Sequence, residues 1–485
     1  MTNPFPESNL GPPSPLIADS DLKLTQQEQF QMKAIYKKLD RRIIPCLWFL
    51  YFLAAAARST VGLALTMNTN AKHSLSQNLG LSTHQTSIGL AIFYIGYIIF
   101  EVPSNLLMLK MKPQVYISRI QCSIGIISAC HAALNGAWSF YFLRALLGFA
   151  EAGVWPSMTY YLTIWYPPKM IAHRIGYYFT AAQLSAAVVG LVSAGFQEMD
   201  GALGIVGYKW MFLIYGIIIF VNGVSLLWWL PDRPMYQKSG SKSTFLDRYI
   251  PSMPVLTPEE EVLHARVTGP RSRHWNLDEL WRITIDIRVW PIVVMYIGVV
   301  GVGIGIQSYG TLIIQAINPK FSSIDLSLLF APIWIADAIG ILVITPLSDR
   351  YRNRLLFFCG PCVIIITGLL ITTYAHISSA RYAGLLIVGF GLGPTVPICM
   401  TWAAEIFSVH YGGLGVAAAV ALVTGPGNLG SVITTYALYS GWKADIAREY
   451  KGSNLVCVGL IVASISAACS EWLLVRNRKN KPSKV

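Results

Sequence analysis

Twelve stretches of this chain are apolar for long enough to cross a lipid bilayer: residues 43–66, 87–109, 115–134, 138–162, 174–197, 209–230, 289–314, 326–347, 355–376, 382–407, 413–440 and 455–475. A crossing helix needs roughly 20 such residues. Hydrophobic residues make up 54% of the 485 and charged ones only 13%, where a soluble domain carries about 25% charged. Lipid offers no partner to a bare backbone amide, so each stretch is expected to be a helix. The expected fold is an all-α integral membrane protein, multi-pass, with twelve transmembrane helices in two six-helix bundles, 41–231 and 287–475.

Charge sets the expected orientation. The formal net charge is +13, and with the N-terminus cytoplasmic the inner loops hold a roughly fourfold excess of Lys and Arg over the outer ones, as the positive-inside rule requires. Both termini are therefore expected in the cytoplasm, and the basicity needs no nucleic acid to explain it. Residues 1–40, with "GPPSP", read as a disordered tail. They hold no apolar core, so no cleavable signal is expected and the first span does the targeting. Residues 476–485 form a second short tail.

A polar stretch, 232–286, separates the bundles. In it "LTPEEEVLHARV" opens with a helix-start pattern: Thr257 caps, Pro258 suits the first turn and Glu260 reaches back. The eight cysteines lie in or at the ends of spans, so no disulfide framework is implied. Cys359-Gly-Pro-Cys362 copies a redox tetrapeptide, but such a motif needs a soluble strand-to-helix setting; here it opens an apolar span.

The two bundles echo each other faintly. "LKMKPQ" follows the second span and "PLSDRYRNR" (346–354) the eighth. In the second turn Asp349, Arg350 and Arg354 can clamp neighbouring helix ends through charge-assisted hydrogen bonds. Paired halves marked by equivalent turns are the pattern of a transporter whose site lies at the midplane.

Arg58 sits deep in the first span, in "AAAARSTVGLALT". A guanidinium there is costly and needs a partner. Either a carboxylate from another helix meets it, or its planar fork grips an anionic cargo.

These residues carry a resemblance. "YFLAAAARSTVG", "EVPSN" (101–105), "RALLGFAEAGVWPS" (144–157), "LPDRP" followed by "LTPEEE", "DIRVW" (286–290), "SDRYRNR" and "GNLG" (427–430) occur in order over about residues 40–475. Together they resemble the major facilitator superfamily, and within it the fungal allantoate-permease branch of the anion:cation symporters. The resemblance implies import of a small organic anion (ureide, vitamin or other carboxylate) with protons. It also implies that Arg58 binds the anion and that Glu151, seven residues after Arg144, couples it to protons. Arg144 matches a widely shared arginine, expected to have a structural or coupling role and to be held by backbone carbonyls or water. Gln183 and Asn428 match anion-site positions, and Gln307 and Tyr309 join them from the Gly-rich stretch "GVGIGIQSYG". Tyr94, Trp155 and Trp402 are candidates for shaping the cavity.

The chain departs from the pattern at Ala57, where relatives often carry an aspartate. Of two unusual acids, Asp337 in "PIWIADAIG" and Glu405 in "TWAAEIF", one or the other is the expected support for Glu151 in carrying the proton.

An exporter on the same fold is the nearest alternative. Exporters typically carry a Gly-Pro-Gly-Gly pattern late in the fifth span, and "AAQLSAAVVGLVSAG" has no proline. A non-transporting nutrient sensor is a second, though such proteins usually carry a long cytoplasmic extension. With no nucleophile–base pair, metal-spaced His/Cys cluster or phosphate loop, neither an enzyme nor a cofactor or metal is expected. The expected partners are the organic anion, protons and the bilayer, for a monomer in the plasma membrane or a vacuolar or other endomembrane.

Overall fold

The structure, a computed structural model, describes residues 25–234, 254–268 and 282–479. Among them the regular structure is helical, with no strand. Eight helices among the described residues are long and apolar enough to cross a membrane.

The first helix, α1 (Gln26–Ala64), starts well before the apolar run. Thr25 and Glu28 form a reciprocal cap, with the Glu28 carboxylate accepting from the Thr25 amide at 2.9 Å. Met32, Ile35 and Leu39 recur on one face and are buried. The expected disordered tail to residue 40 is therefore corrected: 26–40 are helical because a cap and an apolar stripe precede the span, while residues 1–24 lie outside the described residues. That stripe packs on α8 (Pro258–Thr268), where Lys38 meets Glu260 at 2.9 Å and Arg266 meets Glu28 at 2.7 Å. We call this the near end of the molecule.

Between them run α2 (Thr83–Lys110), α3 (Pro113–Cys130), α4 (Ala137–Glu151), α5 (Val154–Trp165), α6 (Pro168–Glu198) and α7 (Gly207–Trp229). The stretch expected as one fourth span is two helices, because the ladder is interrupted at Ala152–Gly153, directly after Glu151. Gly153 lies against α2 and α3: a Cβ there would collide with the Ser104 hydroxyl oxygen.

The second set comprises α9 (Val289–Ile317), α10 (Ser323–Tyr351), α11 (Arg354–Tyr374), α12 (Ser378–Gly427), α13 (Leu429–Ala437) and α14 (Lys451–Lys479). Here too the expected boundaries shift. The helix of the tenth span runs on into the eleventh as α12, and the eleventh breaks instead at Asn428, two residues after Pro426. Cys359 and Cys362 are free thiols within α11.

The two sets meet along α1 on α9, α6 on α10 and α13 on α2. At the far end Gln197 donates to the Ser327 hydroxyl at 2.9 Å, and the Thr69 amide to that of Ser323 at 3.3 Å. Gly62 sets the α1–α9 crossing, since a Cβ on it would sit 2.8 Å from the Gln307 carbonyl oxygen. Gly62→Val is expected to wedge these helices apart, at a cost of about 1–3 kcal/mol to this state. Faster maleimide labelling of a cysteine placed at Ser327 measures it.

Candidate functional site

Where the two sets face each other they leave a cleft of about 1000 Å³, counting its open mouth. Tyr51, Ala54 and Arg58 line it from α1, Tyr94 and Tyr97 from α2, and Glu151, Val154 and Trp155 from the α4–α5 break. Phe179, Ala182 and Gln183 come from α6, Tyr296, Val299, Val300, Gly303, Ile304 and Gln307 from α9, Trp334 and Asp337 from α10, and Leu392, Val396, Thr424 and Asn428 from α12 and its end.

Arg58 and Glu151 face each other across this space, with Nε of Arg58 3.2 Å from Oε2 of Glu151. The contact is an ion pair without hydrogen-bond geometry, and Nε of Arg58 and Oε1 of Glu151 have no hydrogen-bond partner among the described residues. The Arg58 side chain keeps 17% of its surface open and Glu151 only 2%. So the guanidinium is charge-matched, yet retains donors for a third group. Its carbon stands 5.8 Å from the Tyr51 ring centroid, a cation–π contact that favours the charge. Tyr51, Trp155 and Phe179 form a continuous aromatic wall, with Trp155 edge-on to Phe179 at 5.7 Å between centroids. Apolar cargo surface suits that wall.

The opposite side supplies polar groups. Gln307 donates to the Ser59 hydroxyl at 2.8 Å, bridging the two sets of helices. Asn428 donates to the Thr424 carbonyl at 2.8 Å and also lines the space. Asp337 is buried, and its Oδ1 has no hydrogen-bond partner among the described residues.

Other sequence candidates lie elsewhere. Arg144 is buried beneath the site, donating to the Gly89 carbonyl at 3.2 Å and stacked 4.6 Å from the Phe93 ring centroid. Tyr309 does not reach the cleft. It is buried between α9, α2 and α13, with its hydroxyl donating to the Thr435 carbonyl at 2.6 Å. Two residues turn a helix by about 200°, so it faces away from Gln307. Trp402 is buried outside the cleft. Glu405 also requires correction: it is at the near end, half exposed, and paired with Arg354 at 2.6 Å. Arg354 also reaches Asp349 at 2.7 Å and the Ser348 hydroxyl at 2.8 Å, whereas Arg350 is exposed. Glu405→Gln is therefore expected to leave the pH profile of transport unchanged and to cost about 1 kcal/mol, because Glu405 is half exposed and the mostly buried Arg354 keeps Asp349 and Ser348. Uptake against pH and thermal unfolding in detergent check the two halves of that statement.

Sequence reasoning passed over Tyr51, Tyr97 and Glu101. Tyr51 lies seven residues before Arg58, hence on the same helix face. Glu101 is an acid inside an apolar span, the signal that drew attention to Arg58.

Comparison with known proteins fits this architecture. The description of the Major Facilitator Superfamily matches residues 47–435. The chain is similar to "Vitamin H transporter 1" of Schizosaccharomyces pombe, 50% identical over 93% of this chain and 82% of that one. It is 31% identical to a "Putative tartrate transporter" of Agrobacterium vitis over 89% of each. Among solved structures it resembles a bacterial homologue of the human lysosomal transporter Spinster, inward-facing and occupied, with a TM-score of 0.64 and 15% identity, covering 91% of this chain and 98% of that one. Helices that converge on a buried ion pair, a family match over most of the length and a transporter sharing half its residues lead to one assignment: the chain belongs to the Major Facilitator Superfamily, and is a multi-pass membrane transporter of small organic molecules, not an enzyme.

Proposed function

We propose that the chain imports a small organic carboxylate together with protons, by alternating access around the Arg58–Glu151 pair. The observation that carries this reading is the pair itself, a cation with unused donors opposite a shielded acid in a pocket walled by aromatic rings. In the empty site ionised Glu151 neutralises Arg58. An arriving carboxylate takes the guanidinium fork in two parallel hydrogen bonds. Glu151, losing its cation inside a dry pocket, then takes up a proton, because burial disfavours a lone charge. Cargo and proton are thereby bound together. Gln183, Gln307 and Asn428 orient the cargo, and Asp337 is the supporting acid on the opposite wall.

The relatives support a carboxylate: vitamin H and tartrate, the compounds in their names, are both carboxylic acids. An aromatic wall suits the vitamin type better than the smaller hydroxy acid. The same proposal includes the twelve spans in two bundles, 41–231 and 287–475, joined by 232–286. It also includes cytoplasmic termini, a monomer, a place in the allantoate-permease branch, and the plasma membrane as the site of action.

The test is uptake into proteoliposomes under an inward-directed proton gradient, with labelled vitamin H, labelled tartrate and the uncharged amide of vitamin H. Accumulation of a carboxylate and exclusion of the amide are expected. Equal accumulation of the amide rules the reading out.

A further inference from the structure

A second acid lies where the two sets of helices touch, and nothing above gives it work. Glu101 of α2 is 1% exposed. Its Oε1 accepts from the Thr424 hydroxyl of α12 at 2.5 Å, while its Oε2 has no hydrogen-bond partner among the described residues. The closeness is built in, since a Cβ on the adjacent Gly425 would lie 3.3 Å from that Oε2.

Among the described residues no cation bonds to the carboxyl. The titratable groups facing it are the phenols Tyr97 of its own helix and Tyr296 of α9. From the other helices packed on α2, Arg144 is directed to the Gly89 carbonyl, Glu151 to Arg58, Tyr116 to Ser104 and Glu405 to Arg354. An ionised carboxylate in this setting is a costly unpaired charge.

The hydroxyl beside it has a choice of acceptors. Thr424 Oγ1 is within reach of both Glu101 and the Ala421 carbonyl, at 3.3 Å, but owns one proton. With Glu101 protonated at Oε1, that O–H donates to Thr424 and the Thr424 proton goes to Ala421, so both hydroxyl protons are placed and the unpartnered Oε2 is a neutral carbonyl oxygen that carries no unpaired charge. With Glu101 ionised, Thr424 must turn to it and Oε2 stays bare.

We propose that Glu101 is a second proton-binding residue, whose protonation fastens α2 to α12 and whose deprotonation accompanies the parting of these helices. The proton arrives from cavity water, since Tyr97 and Thr424 both line the cleft. An O–H bond forms at Oε1, and it breaks to water when the helices separate. Glu101 thus governs the conformational step, whereas Glu151 governs cargo binding. The inference rests on the alternating-access reading above.

Proteoliposomes carrying the full chain separate the two. Glu101→Gln is expected to lower proton-driven net uptake roughly tenfold more than it lowers cargo exchange at equal pH, to flatten the pH profile of net uptake, and to keep the pH dependence of cargo binding. In the infrared spectrum of the purified protein near neutral pH, one protonated-carboxyl band should disappear in that variant. Thr424→Val, which removes the acceptor, should shift the same band and alter the same profile. A wild-type pH profile for net uptake in Glu101→Gln overturns the proposal. If that variant fails to reach the membrane, an unchanged profile and band in Thr424→Val overturn it instead. If the wild-type chain neither binds nor exchanges a carboxylate, the transport reading fails first, and the infrared band still reports on Glu101 by itself.

Discussion

Arg58→Ala is expected to weaken binding of a carboxylate cargo by roughly 100- to 1,000-fold, about 3–4 kcal/mol, the scale set by removing one partner from a buried charge pair. Two losses combine. The cargo forfeits a bidentate, charge-assisted contact in a water-poor cleft, and Glu151 is left without its cation and must protonate. The second loss is relieved by protonation, so the variant is expected to fold and reach the membrane. Arg58→Lys should recover only part of the affinity, because an ammonium supplies the charge without the planar fork. Trp155 lies in the cleft and reports binding by its fluorescence. Wild-type affinity in Arg58→Ala would remove the cation from the mechanism and leave the aromatic wall as the chief determinant.

That arginine was legible in the sequence because a charge within an apolar run is visible without any fold. The helical class was legible for the same reason: long apolar runs in lipid leave the backbone no alternative. What the runs hide is where helices break. Hydropathy continues smoothly through Ala152–Gly153, and the interruption there depends on Gly153 lying against Ser104 and Tyr116 of other helices. Hydropathy likewise missed the helical turns before residue 41, whose apolar face is only one stripe wide and is covered by α8.

The site shows a similar division. Residue type pointed to Arg58, Gln307 and Asp337, and the family resemblance to Glu151, Gln183 and Asn428, all of which line the cleft. Residue type also pointed to Tyr309 and Glu405, which do not. For Tyr309 helical phase decides, at two residues from Gln307. For Glu405 position along the axis decides, since it reaches the near-end Arg354. Glu101 lay in a quoted motif and was passed over, although its burial opposite Thr424 depends on a contact 323 residues away in sequence.

Glu151→Gln is expected to abolish accumulation driven by a proton gradient while leaving exchange of labelled for unlabelled cargo within about a factor of three, as for a variant that loses coupling but keeps binding. The amide imitates the protonated acid, so the state that wild type reaches only after taking up a proton is permanent. Freed from competition, Arg58 should bind the carboxylate at least as tightly as before. The sign of the pH effect follows. In wild type, raising the pH ionises Glu151, restores its hold on Arg58 and weakens cargo binding; in Glu151→Gln that dependence should vanish. Glu101→Gln should keep it, because Glu101 touches Thr424 and not Arg58. Cargo affinity measured against pH in the two variants therefore separates the acid that competes for the cation from the acid that joins the helices. If affinity in Glu151→Gln still falls with rising pH, the competing proton resides elsewhere, and Asp337, buried with one unpartnered oxygen on the facing wall, becomes the residue to change.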